Sequence, residues 1–233
     1  MACRMGETAR DNVLLAMEQL SGFSEERESK ILENEDKLDT YEDRLGSYLV
    51  EVSQHGVSMT DIRTVSRLLH AIGDFERIGD HAINIQDSAR ELQDKELHFS
   101  AAAEKELKVL NAALEDILSQ AVSSFNQDDP AAAKAVEPLE ETIDQLTEEI
   151  RMRHIQRLQT GECTIQLGFV LNDLLTNLER VSDHCSNLAV ATIELESDSF
   201  DPHQYMISLK AARSHGFDQY YEEYRRKFSL PEG

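Results

Sequence analysis

The chain has 233 residues, 40% hydrophobic and 29% charged, a balance that suits a folded protein with a sizeable core and argues against a disordered one. Its 45 acids against 23 bases give a formal net charge of −22, which argues against a nucleic-acid surface and against unassisted binding to anionic lipid. With 4 Pro, 10 Gly and no Trp among abundant Glu, Leu, Ala, Lys, Arg and Gln, the fold class reads as all-α.

The periodicity predicts a first helix over about 8–20, with Val13, Leu14, Met17 and Leu20 inward. Ser21-Gly22-Phe23-Ser24 breaks it, and Ser24 caps a second helix over about 25–54. The inward stripe of that helix is Ile31, Leu38, Tyr41, Leu45, Tyr48, Leu49 and Val52, and His55-Gly56 is its expected stop. Met59-Thr60-Asp61 opens a third helix to about 92, through Val65, Leu68, Leu69, Ile72, Ile83 and Ile85. A fourth spans about 100–125, carrying Leu107, Leu110, Leu114, Ile117 and Phe125. Asp129 then caps a fifth, with Pro130 in its first position, which runs to about 159 and stops at Thr160-Gly161. A sixth covers about 164–194. Beyond Ser197, an Asp201-Pro202 turn leads into an aromatic tail with Tyr205, Phe217, Tyr220, Tyr221, Tyr224 and Phe228, expected to form one or two short helices that pack on the body or on a partner. Cys3, Cys163 and Cys185 lie far apart without zinc spacing, so free thiols in a reducing compartment are expected. No apolar run has the length of a signal peptide core or a spanning helix, so the chain reads as soluble and cytosolic, although it could be a piece of a membrane protein.

The main organisational feature is a repeat. Gly73-Asp74-Phe75-Glu76-Arg77-Ile78-Gly79-Asp80-His81-Ala82-Ile83-Asn84 aligns with Thr176-Asn177-Leu178-Glu179-Arg180-Val181-Ser182-Asp183-His184-Cys185-Ser186-Asn187, sharing Glu, Arg, Asp, His and Asn at identical spacing. Each copy follows a helix with its own acidic pair, Glu35/Asp39 or Glu140/Asp144. The expected organisation is two tandem three-helix bundles, over 1–97 and 98–198, and a short helical C-terminal tail over 199–233.

Residues i and i+4 on a helix lie about 40° apart around the axis, so each Glu-x-x-x-Asp pair forms a column. These columns are expected inside the apolar stripes: Leu69, Ile72, Glu76, Asp80 on the third helix and Leu32, Glu35, Asp39, Glu42, Leu45 on the second. Helices in a bundle sit about 8–10 Å apart, so facing columns would bring four carboxylates together in each half. Such a group needs protons, basic partners or a bound cation, and all-oxygen donors suit hard cations better than zinc or copper. The pattern Glu-x-x-x-Asp occurs six times here, and a single such pair in so acidic a chain is most often a solvated face; four pairs matched between two halves set these apart. Arg77 and Arg180 are expected to pair with neighbouring acids, and His81 and His184 to make interhelical contacts. No phosphate loop or nucleophile constellation marks an enzyme.

On these motifs the chain resembles the PhoU family over roughly residues 4–196. The resemblance is carried by Phe75-Glu76-Arg77-Ile78-Gly79-Asp80-His81-Ala82 with Asn84, and by Leu178-Glu179-Arg180-Val181-Ser182-Asp183-His184 with Asn187. It implies two tandem three-helix bundles that bind multinuclear metal clusters through Glu35, Asp39, Glu76, Asp80, Glu140, Asp144, Glu179 and Asp183. Iron is foremost among the metals it implies, with manganese, magnesium, calcium and zinc as alternatives. The second copy departs from the first where Asn177 stands for Asp74 and Ser182 for Gly79, which puts equal metal occupancy of the halves in question. Two contexts compete within the family: free-standing regulators of the phosphate-starvation response, working with an ABC phosphate transporter and a sensor kinase, and units fused behind the membrane portion of bacterial Na⁺/phosphate cotransporters. Met5-Gly6-Glu7-Thr8-Ala9-Arg10, the run Ile31 to Asp39 and the aromatic tail are similar to the fused kind, so the expectation is a cytoplasmic domain of such a cotransporter at the inner membrane. The partners implied are the membrane portion of the transporter, phosphate held through the metal, and a second copy as a homodimer.

Overall fold

The computed structural model describes residues 1–54, 58–193 and 215–231. The expected stop at His55-Gly56, the Asp201-Pro202 turn and Tyr205 lie outside these residues. The elements in chain order are α1 Ala2–Gln19, α2 Glu25–Ser53, α3 Met59–Asp94, α4 Ala101–Gln127, α5 Pro130–Ala133, α6 Val136–Thr160, α7 Ile165–Ile193 and α8 His215–Lys227. The described residues are helical, with no strand among them.

The caps explain most boundaries. Ser24 Oγ accepts from the Arg27 backbone N–H, and Ser100 does the same for Ala103. Ser58 and Asp61 form a reciprocal capping box at the start of α3. Asp129 accepts from the Ala131 and Ala132 amides, with Pro130 beside it. Gly161 ends α6 at φ +77°, a left-handed conformation that suits glycine.

Two boundaries differ from expectation. Helix α1 starts at Ala2, because Met5 continues the buried face of Ala9 and Val13 to about two turns before Val13. The fifth helix is split: α5 lasts 4 residues, and α6 begins at Val136.

Helices α1, α2 and α3 pack on one another, as do α4, α6 and α7, while α3 lies along α7 and α1 touches α4. The α3–α7 pairing is antiparallel: Leu92 clusters with Leu167 and Val170, His81 meets Asn177, and Asp74 meets Asn187. One continuous core runs through both groups. Phe75, fully buried, packs edge-on against Phe125 at 5.3 Å between ring centroids and so ties α3 to α4. The tail packs on the body: α8 lies on α6, Tyr224 and Phe228 join the core, and Tyr224 OH donates to Gln120 Oε1 at 3.0 Å. Arg153 then holds the Pro231 carbonyl at 2.7 Å.

Candidate functional site

In the second half, Glu140 and Asp144 on α6 and Asp183 on α7 each present a carboxylate oxygen, all within 4.8 Å of one another. The local cause is simple: Glu140 and Asp144 stack one turn apart, while buried Leu139 and Ile143 beside them anchor α6 against the core. Glu179, expected in the same group, is not part of it. Its carboxylate accepts from Arg151 Nη2 at 2.7 Å. Arg180 pairs with Asp183 at 3.2 Å, the acid partner expected for that arginine.

In the first half, Glu35 and Asp39 on α2 face Glu76 and Asp80 on α3, but no three of these carboxylates converge as tightly as those in the second half. They still sense one another. Burial pushes the Glu35 carboxyl up, with Asp39, Asp36 and Asp80 adding to it. Burial likewise pushes Glu76 up to about 7, with further contributions from Asp80, Glu42 and Asp39 and from a hydrogen bond to Asp80. Glu42 thus belongs to this group although it was not among the expected site residues; its place one turn beyond Asp39 in the column was the available signal.

In the first half the columns do not sit fully inside the apolar stripes. Leu32, at the head of the α2 column, is 48% exposed, and Asp39 and Asp80 are exposed. The inward positions are the neighbours Ile31, Leu38, Phe75, Ile78 and Ala82. Asp39 and Asp80 ride on the outer edge of the α2–α3 pair, where water reduces the cost of their charge. In the second half, by contrast, Glu140, Glu179 and Asp183 are only partly exposed, and Val136, Thr147 and Leu175 of their columns are fully buried. Gly79 brings the α2 and α3 columns together: a Cβ there would lie 2.4 Å from Leu38 Cδ1. Its counterpart Ser182 is fully buried and turns its hydroxyl onto the Glu179 carbonyl at 2.7 Å.

The histidines of the repeated motif serve a different place. His81 and His184 stack at 5.6 Å between centroids across the α3–α7 junction. His184 Nδ1 lies 2.9 Å from Asp74 Oδ1, and His81 Nδ1 lies 2.9 Å from Asn177 Oδ1, so each histidine meets the residue seven places before the other. Asn187 Nδ2 also donates to Asp74 at 3.2 Å. The change from Asp74 to Asn177 therefore falls on the junction between repeats and not on the acidic columns. Burial pulls the His81 pKa down.

Glu76 carries a pH prediction. Its folded pKa of about 7 lies above the ordinary 4.5, so between these values the folded chain holds a proton that the unfolded chain has lost. Its contribution to stability is full below about 4.5 and is lost as pH rises through about 7. In chelator, Glu76→Gln should therefore gain stability relative to the parent as pH rises across that window. Urea midpoints of both proteins at about pH 5 and about pH 7.5 measure it, and a constant difference would refute it.

The PhoU domain family model matches residues 2–89 and 107–192. The phosphate-specific transport system accessory protein PhoU homolog 1 of Thermotoga maritima is 26% identical over 183 residues, covering 78% of each chain. A PhoU homolog of the same description from Xylella fastidiosa is 25% identical over 189 residues, covering 80% of this chain and 78% of its own. Crystal structures of PhoU from Pseudomonas aeruginosa (TM-score 0.78, 20% identity, 84% of this chain and 93% of that one) and of the phosphate transport system regulatory protein PhoU from Streptococcus pneumoniae (0.74, 17%, 86% and 93%) share the fold. With the family model matching both halves, the chain belongs to the PhoU domain family.

Proposed function

We propose that the chain is a PhoU-type accessory regulator of phosphate transport, non-catalytic, whose acidic columns bind hard metal cations. The observation that carries the metal reading is the group formed by Glu140, Asp144 and Asp183, with oxygens within 4.8 Å of one another. The donor set fits: carboxylate oxygens without sulfur or imidazole, at a partly exposed edge that leaves positions for water, suit Mg²⁺, Mn²⁺, Ca²⁺ or iron. Bound metal would supply positive charge able to hold phosphate or to bridge to a partner, while the chain's own residues orient it.

The matched relatives favour the accessory context. Those from Thermotoga maritima and Xylella fastidiosa are named for the phosphate-specific transport system, and this chain spans most of their length. This supports a partner in a phosphate transporter over a cytoplasmic domain fused to a Na⁺/phosphate cotransporter. No described helix is long and apolar enough to cross a membrane.

Metal content after purification without chelator tests the reading, with Glu140→Ala/Asp144→Ala and Glu76→Ala/Asp80→Ala as comparisons. The parent should retain about one or more equivalents, and each double variant should lose part of them. Metal-free protein in all three, unchanged in stability by added Fe, Mn or Mg, would sink it.

A further inference from the structure

The two acidic columns differ in their built-in positive charge. In the second half, Arg151 on α6 holds Glu179 at 2.7 Å and also reaches Glu148 at 3.8 Å. Arg180 holds Asp183. In the first half, no ion pair joins Glu35, Asp39, Glu42, Glu76 or Asp80 to a basic side chain among the described residues. The repeat shows why. Arg151 stands eleven residues after Glu140, and eleven residues after Glu35 stands Gly46, which has no side chain to offer.

Resting on the metal-binding reading above, we propose that Arg151 is an internal counter-ion that withholds Glu179 from the second site, so that the two halves bind metal unequally and the first binds more tightly. The convergence of the second group is consistent with this. Asp183, already paired with Arg180, repels Glu140 and Asp144 less, and Arg151 keeps the charge of Glu179 out of the group, so three carboxylates approach closely. The first group, with no such balance, stands further apart and gains more when a cation arrives. The guanidinium occupies part of the role a metal would have, and an incoming cation at the second site must work against it and without the fourth carboxylate.

Position 46 allows the reverse exchange. A Cβ built on Gly46 meets only Ile72 Cδ1, at 3.9 Å, which is ordinary contact, so an arginine can be placed there without a clash at its base. The backbone conformation is helical, which suits arginine better than glycine.

The test is calorimetric titration of the chelator-stripped protein with Mn²⁺. The parent should show a tighter and a weaker class of site, the weaker one removed by Asp144→Ala. Arg151→Met should tighten the weaker class about tenfold, as expected for removing a unit positive charge near a partly solvated cation site and freeing a carboxylate. Arg151→Lys, which keeps the charge, should stay near the parent, and Gly46→Arg should weaken the tighter class while leaving the weaker one alone. Two equal classes in the parent, or a weaker class indifferent to Arg151→Met, overturns this inference and leaves the metal reading standing. No Mn²⁺ binding by any variant overturns both.

Discussion

Arg157→Ala is expected to lower the unfolding free energy by about 3–5 kcal/mol, because it strands a buried carboxylate. Glu106 on α4 and Arg157 on α6 form a two-pronged pair, Nη1–Oε1 at 2.9 Å and Nη2–Oε2 at 2.8 Å. Their side chains are only 3% and 10% exposed. Arg153 reaches the same carboxylate at 3.4 Å but is more exposed and is shared with Glu149 and the Pro231 carbonyl, so it cannot take over the role. The energetic asymmetry supplies a control. Replacing both partners with apolar residues, as in Glu106→Leu/Arg157→Met, should cost far less than either single change and can even stabilise, since no charge is left buried. Urea unfolding of the three variants measures this; a double variant as damaged as Arg157→Ala would show that the pair contributes through geometry that apolar packing cannot replace.

The second large effect is expected at the contact between the halves. Phe75 is fully buried, and Phe75→Ala should cost about 3–5 kcal/mol through lost burial and the cavity left behind. The ring is held from two sides. Phe125 meets it edge-on, and Gly6 lies so close that a Cβ there would sit 2.7 Å from Cζ. Gly6→Ala alone should therefore cost about 1–3 kcal/mol by overpacking. Combined with Phe75→Ala, the alanine at 6 meets no ring, and its own penalty should largely vanish. A double-mutant cycle reads that coupling; strict additivity would mean that the backbone shifts to absorb the methyl group.

The fold was legible in the sequence because its signals are local. Apolar period, Ser24 and Asp129 as caps, Pro130 and Gly161 all act within a turn of their own position, and each stands where expected. The start of α1 was missed because Gly6 carries almost no hydrophobic signal, although it is buried; its value lies in the close approach of Phe75 on α3. The acidic columns were legible for the same local reason, since i and i+4 share a face of any helix. Their exact rotation was not: a shift of one residue separates Leu32, exposed, from Ile31, buried. A stripe read from sequence does not resolve that shift when both neighbours are apolar.

The sequence by itself determined that this chain is helical, that it is built from a repeated motif, and which acids stand in pairs on each helix. Those facts depend on neighbours within about one helical turn. Only the tertiary structure decided that Glu140, Asp144 and Asp183 converge while Glu179 turns to Arg151. It also decided that the motif's histidines meet each other across α3 and α7 and not the acids beside them. Both outcomes are set by the register and rotation of one helix against another, which arise from packing of the whole core and leave no mark at the spacing of four residues.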